Sequence, residues 1–172
     1  MKIWFSVLKR LWIQNNFKMK RLLSFLIISL VMISCGGDDD ICESGEGTPR
    51  MKIMFKNADK ITTLDSIKLY VNYGVRTVDL GWSRNADSIL VPLRVDESPY
   101  TDLFVKTTAK GDSSLVRVNY TTKSIYVSPG CGAKLNYENV SGELLKANPV
   151  IKIEPGQNFI ENEDKTNLYL VF

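Results

Sequence analysis

The chain of 172 residues contains no histidine. That absence removes Ser-His-Asp and Cys-His catalysis, histidine-based zinc centres and the commonest general base near neutral pH. Cysteine is scarce too: Cys35, Cys42 and Cys131 are the three, and none has a CxxC partner, so a thioredoxin-like motif is missing. Neither a Walker A loop nor a dinucleotide-binding glycine pattern occurs, and Gly130-Cys131-Gly132 is too short to cradle a phosphate. The apolar run Leu22 to Ile33 has twelve residues, short of the ~20 that a bilayer-spanning helix needs. Residues 50–172 hold no internal repeat and no low-complexity tract.

Charge is present but unevenly placed. Six of the 22 basic residues and none of the 19 acidic ones precede Cys35, so from Cys35 onward 16 basic side chains face 19 acidic ones. The formal charge of +3 for the whole chain becomes −3 there. Without a basic excess, nucleic-acid binding loses its electrostatic support, and no nucleic-acid partner is expected.

What is present at the start is an address. Met19-Lys20-Arg21 precedes the apolar run, which ends in Ser34-Cys35. A basic start, an apolar core and a small residue before cleavage make a secretory signal. The cysteine that follows makes the stretch resemble a bacterial lipobox, with Met32 where leucine is usual. Residues 1–34 therefore read as a lipoprotein signal peptide, and Cys35 as the lipidated first residue of the mature chain. Residues 1–18 read as a spurious upstream extension, with Met19 as the start; a long basic leader is the alternative. Acyl chains contribute roughly 0.8 kcal/mol per buried methylene, so two or three hold a protein stably on a membrane.

Residues 35–49 read as a polar tether. Asp38, Asp39 and Asp40 repel one another and stay solvated. An acidic run just after the lipidated cysteine also resembles the signal that exports Bacteroidota lipoproteins to the cell surface; a periplasm-facing outer-membrane lipoprotein is the alternative. Calcium binding by this run with Glu43 and Glu46 lacks EF-hand spacing, and no metal or other cofactor is expected. Once Cys35 is lipidated, Cys42 and Cys131 remain as an even pair in an oxidising setting, which reads as a disulfide. It would close a loop of about 90 residues, worth roughly 4–5 kcal/mol in the chain-entropy model. A reactive thiol at Cys131 is the competing reading.

From Thr48-Pro49 onward the apolar residues alternate with period two, as in half-buried strands. Met51, Ile53 and Phe55 share a face; so do Ile67, Leu69, Val71 and Tyr73, and then Ile89, Val91, Leu93 and Val95. Pro92 removes a ladder donor, which places that strand at an edge. Leu103 and Val105 mark a strand beginning near Tyr100. Val116, Val118 and Tyr120 follow, with a turn expected at Thr121-Thr122-Lys123 before Ile125 and Val127. Leu135 and Tyr137 mark another strand, Ser141 to Asn148 a helical turn or loop, and Leu168, Leu170 and Phe172 the last strand. Eight or nine short strands without a long helix predict an all-β single domain over residues 50–172. An antiparallel β-sandwich is the economical architecture, with a small barrel as the alternative.

The opening Cys42…Thr48-Pro49 and the block Tyr126-Val127-Ser128, two residues, Cys131-Gly132 resemble an uncharacterised Bacteroidota lipoprotein family, catalogued as domain of unknown function 6452. The similarity spans residues 35–172. It implies an outer-membrane address and no established activity. By analogy it suggests a partner in the envelope, such as an outer-membrane β-barrel.

Two chemistries remain for the folded part. Trp82 is the one tryptophan after Cys35, in Gly81-Trp82-Ser83 beside an expected loop. Exposed aromatics stack on sugar rings, so Trp82 is a candidate ligand-binding residue; a partly buried core residue near a strand end is the plainer reading. Asp96-Glu97 and Glu161, Glu163 and Asp164 are nominal carboxylate pairs for a hydrolase, although loop charges are usually just solvated. No catalytic residue is singled out. Asp65-Ser66-Ile67 and Asp87-Ser88-Ile89 resemble the short O-glycosylation motif of Bacteroidota. The expectation is a non-catalytic accessory or binding subunit of the cell envelope. A surface glycan-binding module is the alternative, and a carboxylate hydrolase the second.

Overall fold

The computed structural model of the chain describes residues 47–172, which belong to the compact unit Ile41–Phe172. Cys35, Cys42 and Asp38, Asp39 and Asp40 lie outside the described residues.

The alternating pattern produces strands where it is strict. β1 (Met51–Asn57) buries Met51, Ile53 and Phe55 completely. The chain turns at Ala58, whose φ is +51°, into β2 (Lys60–Ile61) and then β3 (Leu64–Asn72). β3 buries Ile67, Leu69 and Val71. β4 (Thr77–Ala86) and β5 (Ser88–Val91) follow, then β6 (Tyr100–Lys106), β7 (Ser114–Ser128), β8 (Gly132–Lys146), β9 (Lys152–Pro155) and β10 (Thr166–Val171).

These form two sheets. One has the order β2-β1-β10-β9, with β5 also paired to β1; the other has the order β4-β3-β6-β7-β8. Their apolar faces share one core, in which Phe55, Leu168 and Leu170 join Leu69, Leu103 and Val118. Each such side chain contributes about 1.5–3 kcal/mol when taken fully out of water. The domain is a β-sandwich. β4 and β8 both end the second sheet without meeting, so the barrel alternative does not hold. β5 lies at an edge, as Pro92 implied, pairing only with β1, but it stops at Val91, before the proline.

Four expectations need correction. β1 pairs with β10 in parallel; the other described pairings are antiparallel. The turn expected at 121–123 does not form, because Thr121 and Thr122 stay in the ladder opposite Glu138 and Tyr137. Nor is Ser141 to Lys146 helical: Ser141, Gly142 and Glu143 pair with Asn119, Val118 and Arg117. β7 and β8 are therefore a pair of 15-residue strands, bent by register shifts rather than interrupted. The buried row after Ile89 ends at Leu93, and Val95 is exposed.

Polar groups close the ends of the core. Thr101 is buried, with its hydroxyl oxygen accepting from the Arg94 backbone N–H at 3.0 Å and lying 2.7 Å from the Tyr120 hydroxyl. Tyr120 and Tyr137 meet edge to face at 5.0 Å, and the Tyr137 hydroxyl donates to the Arg94 carbonyl. Burial pushes the pKa of both phenols up, so they stay neutral.

Two predictions follow from this packing. At Gly156 an added Cβ would lie 2.3 Å from the Thr166 carbonyl oxygen, backbone that cannot move aside. Gly156→Ala should lower the unfolding free energy by about 1–3 kcal/mol in urea titration. On the first sheet, Glu154 accepts from Lys56 Nζ at 2.7 Å and from Lys152 Nζ at 2.9 Å. The Lys56 bond, then the Lys152 bond, pull its pKa from 4.5 down to about 2. A depressed carboxyl stabilises the fold above its unfolded pKa and stops doing so as pH falls through its folded one. Glu154→Gln should thus lower the urea midpoint at pH 7, and its difference from the parent should close between pH 4.5 and about 2.

Candidate functional site

The second sheet turns its inner face to the core and its outer face to solvent. The period of two that buries Ile67, Leu69 and Val71 sends Lys68, Tyr70 and Asn72 outward. In β6 the same alternation sends Tyr100, Asp102, Phe104 and Lys106 outward. Register aligns them: Lys68 opposes Lys106, Tyr70 opposes Phe104, and Phe104 opposes Leu115 of β7.

Trp82 joins this row. It lies within edge strand β4, not in a loop, and opposes Lys68. The register of β3 and β4 slips between Lys68 and Tyr70, so β4 carries a bulge. Gly81 sits in it with φ +83°, a conformation that glycine adopts without strain. The Gly81 N–H donates to Asp79 Oδ1 at 2.8 Å. Trp82 is 40 % exposed, so the plainer reading of it as a core residue does not hold.

Lys68 ties the row together. Its Nζ is 2.7 Å from Asp79 Oδ2, 5.0 Å from the Tyr70 ring centroid and 5.7 Å from that of Trp82. The hydrogen bond to Asp79, then that to Tyr70, raises the Lys68 pKa. Asp79 is lowered in turn by Lys68 and by the Gly81 N–H. Two more cations, Lys106 opposite Lys68 and Arg84 opposite Ser66, have no ion-pair partner among the described residues. Further along the face, Arg117 grips Asp102 through two bonds of 2.8 and 2.9 Å and lies 4.0 Å over the Tyr100 ring. The outer face is thus a shallow platform of Trp82, Tyr70 and Phe104 set among cations and two carboxylates. Such a surface offers stacking and hydrogen bonds together.

Two of the nominal carboxylates, Asp96 and Glu163, are held in ion pairs. Asp96 is held by Arg94, which lowers its pKa, and Glu97 is exposed. Glu161, Glu163 and Asp164 line one cavity of about 470 Å³ with Thr48 and Arg50. Arg50 binds Glu163 through Nε at 2.7 Å and Nη2 at 2.8 Å and holds its carboxyl below the usual range. A general acid for glycoside cleavage needs the opposite shift. Among the glycosylation candidates, the Ser66 hydroxyl donates to the Thr107 carbonyl and that of Ser88 to Asp87.

Cys131 sits in the turn between β7 and β8, where its N–H donates to the Ser128 hydroxyl oxygen at 3.1 Å. The other two cysteines of the chain lie outside the described residues. Nearby, the Leu135 N–H donates to Thr48 Oγ1 at 3.0 Å, so the Thr48-Pro49 opening meets the strand that follows Cys131-Gly132.

No family model, curated protein or solved structure matches the chain. The family resemblance therefore rests on the residues quoted for it.

The inward rows of β3 and β6 were legible in the sequence, but the aromatics between them were not read as a site. The available signal was Tyr70 and Phe104 standing at outward positions of strictly alternating strands.

Because Trp82 lies on the surface, removing it should barely disturb the fold. Trp82→Ala is expected to change unfolding free energy by less than about 1 kcal/mol in urea.

Proposed function

We propose that the chain is a non-catalytic, lipid-anchored binding subunit of the outer membrane, held there through Cys35, that presents the outer face of its second sheet to a ligand. The observation that carries this reading is the outward row of exposed Trp82 with half-buried Tyr70 and Phe104, and Lys68 set against two of the rings. Sugar rings have apolar C–H faces that stack on aromatics and hydroxyls that bond charged side chains. A surface glycan is therefore the ligand that this face suits best. The alternative occupant is an envelope protein such as an outer-membrane β-barrel. The acidic run Asp38, Asp39 and Asp40 supports display on the cell surface. Cys42 is the proposed partner of Cys131, which would fasten the base of the tether to the β7–β8 turn.

Affinity electrophoresis through gels carrying soluble polysaccharides tests the reading. The parent protein should be retarded by at least one polymer. Trp82→Ala and Phe104→Ala should each weaken retention at least about tenfold, or roughly 1.4 kcal/mol. Retention unchanged by either substitution would remove the platform from the account. Co-purification of a stoichiometric membrane partner, lost in the same variants, would favour the protein ligand.

A further inference from the structure

Two loops meet at one end of the sandwich, residues 73–76 between β3 and β4 and residues 92–96 after β5. Val75 is 96 % exposed and Val95 66 %. A single exposed valine needs no explanation. Here two, from loops distant in sequence, line one open hollow of about 530 Å³ with Tyr73, Arg76 and the Arg94–Asp96 ion pair, in which Arg94 balances the Asp96 carboxylate. Arg76 has no ion-pair partner among the described residues. The end thus combines apolar tips with a free cation.

The tether leaves from this same end. Met51 opposes Val91 in an antiparallel pair, so the chain after Val91 runs beside the chain before Met51. Residues 47–50 therefore emerge alongside residues 92–95. The arrangement is braced: Thr48 accepts from Leu135, and two residues along β8 the Tyr137 hydroxyl donates to the Arg94 carbonyl.

We infer that this end faces a lipid bilayer, with Val75 and Val95 entering its interfacial layer and Arg76 meeting anionic headgroups. The inference rests on the proposed lipid anchor at Cys35. Gly47 follows Cys35 by twelve residues, which span at most ~40 Å when fully extended. An anchor that close turns bilayer contact into an intramolecular event at an effective concentration in the millimolar range. Two valines and an arginine are too few to hold a free protein on a membrane, yet they orient a tethered one. The strands then stand on end over the bilayer. The Trp82 face becomes a side wall, open to ligands from outside rather than pressed onto lipid.

The test uses the mature chain with Cys35 replaced by a hexahistidine tether on vesicles containing nickel-chelating and anionic lipids. Trp82→Phe removes the resident tryptophan, and a single reporter is placed at Val75→Trp or, as the distal control, at Ile61→Trp. Ile61 is exposed and pairs with Lys56 at the far end of β1. The Val75→Trp emission should move to shorter wavelength and be quenched at least about twofold by brominated acyl chains, while Ile61→Trp stays unquenched. No quenching of Val75→Trp, or equal quenching of both, overturns the end-on contact. The anchor is read separately, from the intact mass of the native protein extracted from membranes. A mass without acyl chains overturns the anchor whatever the vesicles show, and an acylated mass with unquenched Val75→Trp overturns the contact alone.

Discussion

The sandwich depends on one pairing, that of β1 with β10. It joins the beginning of the domain to its end, in parallel, from Lys52 and Thr166 to Lys56 and Val171. The register slips at its start, leaving Asn167 as an extra residue. Asn167 is buried, and its side chain repairs the break: Oδ1 accepts from the Lys52 N–H, and Nδ2 donates to the Gln157 and Phe159 carbonyls. A buried break without those partners would leave polar groups unpaired at a cost of about 1–3 kcal/mol each. Because the pairing spans almost the whole domain, the first sheet is complete only when β1 and β10 are both in place. Such non-local closure costs loop entropy before contacts return it.

The second sheet is built differently, from antiparallel neighbours, and can leave one face wet. That is what lets it carry aromatics outside. The Gly81 bulge re-aims the edge strand so that Trp82 faces outward above Lys68, and Asp79 holds both the bulge N–H and the Lys68 ammonium. Lys68 and Lys106 stand directly opposite each other, and Asp79 balances the Lys68 charge, which eases the repulsion and leaves Lys106 as the cation open to a ligand. Structure and proposed function meet at this point. This face gathers three rings beside two ion pairs, Lys68 with Asp79 and Arg117 with Asp102, and leaves Lys106 and Arg84 without an ion-pair partner among the described residues.

Much of the fold was legible because burial imposes a period of two wherever one face is packed. The rows through Ile53, Leu69, Leu103 and Leu168 all lie inside. Misreadings arose where local chemistry and pairing disagree. Thr121-Thr122-Lys123 looks like a turn, yet two β-branched residues with ladder partners extend the strand instead. Ser141 to Lys146 has no strong period, and only the facing residues of β7 hold it extended. Gly81 looked like the edge of a loop because a bulge and a turn ask the same thing of a glycine.

The sequence by itself determined the all-β class, the inward rows and the lack of histidine chemistry. These follow from residue type and spacing, which act locally. Tertiary structure decided the parallel closure of β1 on β10, the outward position of Trp82, and the meeting of Val75 with Val95 beside the tether. Each of those depends on which distant strands lie side by side and in what register, and a one-residue slip would send every side chain of a strand to the other face.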